Sequence, residues 1–381
     1  MKPRERLLRA LSHDEPDRVP VDIGSSVTSI HIDTYVRLKK YLGINKTKPR
    51  ILHNMQQVVV VDEPVLRRFS VDTRHISVSS ARGWQKLEDG RYVDEWGIKW
   101  TKPEGSHYYD MCEHPLAQAT LEDLDRYRWP DPYNPRRVEG LREKAEDLYN
   151  NTDYTIVLSG FGECLFGFPA YLRGYAQFYM DLISNKRFVN AFLDMLLDYE
   201  LRLMQNTLKE VGKYVHVVRV SDDFGTEKGS IISPSLYREI IKPRQKKLYQ
   251  FIKENSGAKI LLHSCGSIYD FIPDLIQIGV DAINPVQVSA KNMDTRKLKK
   301  EFGDRITFWG GGCDTQRILP FGTVREVKEE VKRRIKDLAP GGGFVFTPVH
   351  NIQYDVSPEK ICALYDMAIE FGRYPIDKNT K

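Results

Sequence analysis

"AKILLHSCG", residues 258–266, is a run of aliphatic side chains that stops at an imidazole, a hydroxyl and a thiol. A short apolar run with a polar end is the pattern of a strand buried on both faces, as parallel strands are. Other stretches have the same form. "YTIVLSG" (154–160), "VHVVRVSDD" (215–223), "VDAINPVQ" (280–287), "RITFWGGG" (305–312) and "GGFVFTPVH" (342–350) are each followed by a polar or glycine-containing turn and then an amphipathic segment. That order is the signature of βα units. With "RVPVDIG" (18–24) and "VDTRHISV" (71–78) the strands number eight. Eight strands alternating with helices predict an α/β fold of the (β/α)8 TIM-barrel type over an open doubly wound sheet. No repeat, low-complexity run or Gly/Ser linker divides the chain, so residues 1–381 read as a single barrel domain with an elaborated N-terminal region. Within 80–115, the alternating, aromatic "GRYVDEWGIKW" (90–100) predicts a β-hairpin excursion.

The composition narrows the function. Hydrophobic residues make up 41% and charged residues 29%, with a formal net charge of +5, which describes an ordinary globular protein. Basic and acidic residues alternate along segments such as "VREVKEEVKRRIKDL" (324–338), the pattern of a solvated helix face; no nucleic-acid partner is expected. The start of the chain lacks the apolar core of a signal peptide, and no run approaches the roughly 20 apolar residues of a membrane span. Five scattered cysteines, at 112, 164, 265, 313 and 362, make a poor disulfide framework, so a cytoplasmic location is expected.

In a TIM barrel the active site lies at the C-terminal ends of the strands. The polar residues of this chain gather there: Asp22, Glu163, Asp222 and Asp223, His263 and Cys265, Asn284, Cys313 and Asp314, His350 and Asn351. Residues i and i+2 of a strand face the same side, so His263 and Cys265 can chelate one ion, and a mixed nitrogen and sulfur pair suits zinc. Read alone, the pair also suits a buried cysteine beside a hydrogen-bonded histidine, and two ligands are not a site. Cys313, after three glycines, is the first choice for a third ligand; His350 and Glu163 are held in reserve. Asp222 and Asp223 are candidates for acid or base, with only one expected to face the pocket because adjacent strand residues point oppositely. His350 is the alternative acid or base. Asn284, Gln287 and Asn351 are the candidates to bind substrate. Cys164 and Cys362 read as packing residues. The "FWGGG" and "PGGGF" runs lack the spacing of phosphate loops and read as tight turns.

Four stretches carry a resemblance to a family: "RERLLRALSHDEPDRVPVD" (4–22), "HSCGSIYDFIPDLIQIGVDAINPVQ" (263–287), "GDRITFWGGGCDTQRILPFGTVREV" (303–327) and "GGGFVFTPVHNIQYDVSPEKI" (341–361). They resemble the uroporphyrinogen decarboxylase superfamily. That resemblance implies a barrel and one of two chemistries, a decarboxylation without cofactor or a zinc-dependent methyl exchange with a corrinoid protein. The decarboxylases are similar to one another in an early arginine-bearing segment that meets substrate carboxylates. Here the stretch after "VPVDIG" reads "SSVTSIHIDTY" (25–35), with no arginine. The H-x-C pair is similar to that of the methyltransferases, whose third ligand is a cysteine in a segment similar to "APGGGF" (339–344); this chain has glycines there. The expectation is therefore a zinc methyltransferase working between a small methylated donor or a thiol acceptor and methylcobamide carried by a partner corrinoid protein, with a homodimer as a further possibility. The alternatives are a metal-independent decarboxylase of another substrate and a non-catalytic barrel.

Overall fold

The computed structural model describes residues 1–44, 47–160 and 165–376. Seven of the expected strands form, each trimmed to its apolar part: β1 (Thr73–Ser77), β2 (Thr155–Ser159), β3 (Val217–Ser221), β4 (Lys259–His263), β5 (Ala282–Asn284), β6 (Thr307–Trp309) and β7 (Phe344–Val345). They make one curled parallel sheet in sequence order. The eighth expected strand, residues 18–24, is not a regular one. Val21 makes a single parallel bridge to Phe346, and the N–H of Asp72 donates to Val21 O at 2.8 Å. The stretch thus lies between β7 and β1 without forming a ladder. Pro20 has no N–H to give to one, which keeps the contact to isolated bonds.

The strands are buried on both faces. Ile260 and Leu262 of β4 point outward into the large core beneath the helices, whereas Leu261 points inward. Leu261, Val157, Val217, Ala282, Trp309 and Val345 form an inner apolar layer with Leu7 and Leu11. The two leucines come from α1 (Pro3–Leu11), so this helix plugs the N-terminal end of the sheet. One step further along the strands, the inward positions turn polar: Arg219 and Ser221 on β3, His263 on β4 and Asn284 on β5. This change of layer, from apolar floor to polar mouth, is what makes one end of the sheet chemical.

Further helices include α2 (Ile32–Tyr41), α3 (Gly167–Arg173), α4 (Lys186–Val211), α5 (Lys242–Ser256), α6 (Val324–Leu338) and α7 (Pro358–Phe371). Where a hairpin was expected, Gln85–Lys86, Tyr92–Val93, Lys99–Thr101 and Asp110–Glu113 form a four-stranded antiparallel meander. Its Ile98 and Trp100 pack with Leu172 of α3 and with Phe188 and Phe192 of α4. No helix among the described residues is long and apolar enough to cross a membrane.

Candidate functional site

The turn after β4 is held by its backbone. Ser264 N–H donates to Asn284 O at 2.7 Å, Cys265 N–H to Asp223 Oδ1 at 2.7 Å, and Gly266 N–H to Gln287 Oε1 at 2.7 Å. Gly266 has φ +81°, and a Cβ there would lie 2.3 Å from the carbonyl carbon of Gly225. Only glycine allows the two loops to approach so closely. The rigid turn carries the Cys265 thiol to 3.5 Å from His263 Nε2.

His263 is oriented from behind. Strand register sets Asn284 beside it, and Asn284 Nδ2 donates to the Trp309 carbonyl at 2.7 Å. The other amide atom, Oδ1, can only accept, and it lies 2.6 Å from His263 Nδ1. Nδ1 must therefore carry the hydrogen, and Nε2 is left with its lone pair toward Cys265. Burial pushes the His263 imidazole down to about 3, so it is neutral at ordinary pH.

His350 completes the group. Its ring meets that of His263 edge to face, with centroids 5.4 Å apart, and one ligand atom from each of His263, Cys265 and His350 lies within 4.8 Å of the other two. Burial, reinforced by His263, also pushes His350 down to about 3. Two neutral imidazoles and a thiol converging on one point are a donor set for a borderline-soft divalent ion, with zinc the best match.

Cys313 is not brought to this group. Gly311 and Gly312 approach Val286 and the Phe346 ring so closely that an added Cβ would sit 2.7 and 2.3 Å from them. The glycines that were expected to let this loop reach the mouth instead fold it down. Cys313 ends fully buried in the outer core, where burial holds its thiol well above the ordinary range. Glu163 and Cys164 lie outside the described residues. Cys362 is buried on α7, facing that same core.

The adjacent carboxylates go separate ways, as strand alternation requires. Asp222 is wholly buried: Oδ1 accepts from the N–H groups of Leu165, Phe166 and Gly167 at 3.0, 2.7 and 3.1 Å, and Oδ2 accepts from Gln245 Nε2 at 2.7 Å. It anchors the start of α3 and has no lone pair to spare for substrate. Asp223 is about one third exposed and stands 4.0 Å from His263 Nε2. Burial raises its carboxyl, against the hydrogen bond from Cys265 N–H. Asn284 and Gln287, expected to touch substrate, instead brace His263 and the turn. Asn351 is buried and committed to the opposite loop, accepting from Ser29 N–H and donating to Ser26 O, both at 2.7 Å.

A cavity of about 340 Å³ opens on the strand next to β4, lined by His53, Arg219 and Ser221, the last being the register neighbour of His263; His263, Cys265 and His350 do not line it. Its far walls are Trp84, Trp96 and Trp100 of the meander and Tyr199 and Glu200 of α4. Glu200 is buried, its Oε2 has no partner among the described residues, and burial beside Asp222 pushes its carboxyl up to about 8. These residues escaped sequence reasoning, although two signals were present. Arg219 interrupts the apolar run "VVRVS", and Glu200 shares a helical face with the buried Leu196, Leu203 and Thr207.

Over 97% of this chain and 99% of its own, the methyltransferase from Methanosarcina mazei is similar in fold, with a TM-score of 0.68 at 17% identity. The β-glycosidase from the hyperthermophile Thermosphaera aggregans matches 95% of this chain and 98% of its own at 10% identity, with a TM-score of 0.46. No curated protein sequence matches the chain at a significant level. Residues 110–371 match the family described as uroporphyrinogen decarboxylase (URO-D), which is more than half of the chain. The chain belongs to the uroporphyrinogen decarboxylase family.

Proposed function

We propose that this protein is a zinc-dependent methyltransferase that passes a methyl group between a small substrate and a corrinoid carried by a partner protein. The observation that carries the reading is the convergence of His263, Cys265 and His350 at the mouth of the sheet. The fit is one of chemistry as well as distance: the Asn284 bond leaves His263 Nε2 as a lone pair, and both rings are neutral. Bound there, zinc supplies Lewis acidity, which makes a thiol nucleophilic at neutral pH or activates a methyl-bearing heteroatom as a leaving group.

The chain's own residues do the rest. His263 holds its lone pair toward the reacting centre, Asn284 keeps it from turning, and His350 supplies a second neutral imidazole against its ring. Asp223, anchored through Oδ1 by Cys265 N–H, receives the proton of an acceptor thiol or returns one to a departing group. The tryptophan-walled cavity binds the small substrate beside the centre and limits water. A cavity that size cannot also enclose a corrin, so the corrinoid reaches the mouth from outside, on its own protein. A decarboxylase acting on a substrate with several carboxylates fits the cavity poorly: Asp94 and Glu95 line it, and of its two arginines, Arg137 and Arg219, the first is already paired with Glu95 at 2.9 Å.

The test uses free methylcobalamin as methyl donor and a panel of small thiols as acceptors, with zinc measured on the same samples. Wild type should hold zinc and demethylate the corrinoid. Cys265→Ala should lose the zinc of this centre and the activity together while keeping its fold, because a half-buried residue beyond the strand contributes little to the packed layers. Full activity in Cys265→Ala would defeat the proposal.

A further inference from the structure

A second group of metal-binding side chains lies apart from the first. His31 precedes α2, Asp33 is in its first turn, and His107 belongs to the connection between the last two strands of the meander. One ligand atom from each of the three lies within 4.8 Å of the other two. Asp33 Oδ2 is 3.6 Å from His31 Nδ1 and 3.2 Å from His107 Nδ1. Donor atoms bonded at about 2.0–2.1 Å to one tetrahedral zinc stand roughly 3.3–3.4 Å apart, so these two edges already straddle the separation a shared ion requires.

The rings are held in place. His31 Nδ1 accepts the N–H of Asp33 at 3.2 Å, which fixes the lone pair on that nitrogen and the hydrogen on Nε2. The bond is at the long end of the range, so the same lone pair can turn to a cation at little cost. His31 is buried, and Nδ1 is the nitrogen it offers to the group. His107 stacks on Tyr354 with centroids 3.7 Å apart and planes 13° from parallel. Asp33 and His107 are exposed at their outer edges, which leaves water to complete the coordination.

We propose that His31, Asp33 and His107 form a second divalent-metal site, structural in role and best suited to zinc, that clips the meander to the start of α2, beside the loop after β7. Two imidazoles and one carboxylate suit a first-row transition ion; calcium and magnesium take oxygen ligands. The placement gives the clip its purpose. His31 N–H donates to Ile352 O at 2.8 Å, Tyr108 OH bonds the Gln353 side chain, and the His107 ring covers Tyr354. All three contacts grip the residues immediately after His350, so an ion here would steady the loop that presents His350 and hold the meander over the cavity.

The test does not depend on the first centre or on turnover. Wild type, Cys265→Ala, His107→Ala and the double variant Cys265→Ala/His107→Ala are equilibrated with zinc, desalted and measured for zinc per chain, and each is melted with and without the ion. Wild type should retain about two equivalents, each single variant about one and the double variant none. Zinc should raise the melting temperature of Cys265→Ala but not of the double variant. Asp33→Asn in the Cys265→Ala background, a change of one exposed atom, should abolish the same zinc-dependent rise. If Cys265→Ala holds no zinc, or if Cys265→Ala and the double variant hold the same amount and melt alike with zinc, the second site does not exist. Failure of the first centre would instead appear as one equivalent in wild type that His107→Ala removes and Cys265→Ala does not.

Discussion

Replacing Asn284 with alanine tests how much of the metal affinity resides behind the ligands. The amide bridges His263 Nδ1 and the Trp309 carbonyl, at 2.6 and 2.7 Å, in a site with no exposure to water. Its removal leaves a buried N–H and a buried carbonyl without partners, at about 1–3 kcal/mol each. The folded state should therefore lose roughly 2–4 kcal/mol, allowing for partial relaxation. The imidazole, no longer held in its tautomer, should bind zinc about 10–100-fold more weakly, or about 1.4–2.8 kcal/mol. Competition against a chromophoric chelator at neutral pH measures the affinity, and urea unfolding of the metal-free protein measures the stability. Asn284→Asp separates the two effects: its carboxylate still accepts from His263 Nδ1 but turns an oxygen toward the Trp309 carbonyl. Zinc affinity should survive in Asn284→Asp while stability falls. Wild-type zinc affinity in Asn284→Ala, or equal loss of affinity in both variants, would refute the orienting role.

Three further outcomes follow from the same geometry. Glu200, raised from an ordinary 4.5 to about 8, keeps its proton in the folded protein where the unfolded chain has lost it, so stability is full below about pH 4.5 and falls as pH rises toward 8. At about 1.36 kcal/mol per unit this amounts to the order of 4 kcal/mol, and Glu200→Gln should remove that slope from the difference in unfolding free energy between pH 5 and 8.5; equal slopes in the two proteins would contradict it. Asp222→Ala should destabilise by about 3 kcal/mol or more in urea unfolding, because three N–H groups at the start of α3 and the Gln245 amide lose their acceptor; a change under about 1 kcal/mol would count against the anchoring role. Cys313→Ser should keep full zinc binding yet lower stability, since it sets a hydroxyl in an apolar core; loss of one zinc equivalent would restore Cys313 as a ligand.

The parallel sheet was legible because strands covered on both faces must be apolar throughout, and "KILLH" and "TIVLS" carry that requirement in plain view. The stretch 18–24 has the same apolar look but makes only isolated bonds, because hydropathy records burial and does not record whether N–H groups are available for a ladder. Sequence spacing paired His263 with Cys265, since i and i+2 geometry is local. It put Cys313 ahead of His350 as the third ligand. That choice depends on which way a glycine-rich loop folds, and the close approach of Gly312 to Phe346 is a tertiary fact. Asp222 and Asn351 looked like site residues for a related reason. A buried polar side chain that anchors a loop has the same local signature as one that meets a substrate, and only its partners tell them apart.

The central claim is that one thiolate and two imidazoles hold the catalytic metal. X-ray absorption at the zinc edge tests it most directly, on His107→Ala protein loaded with one equivalent of zinc so that only the first centre is occupied. The account predicts a first shell with one sulfur at about 2.3 Å and imidazole scattering from two rings, and loss of the sulfur contribution when Cys265 is also replaced. A shell with two sulfurs, or with none, would contradict it.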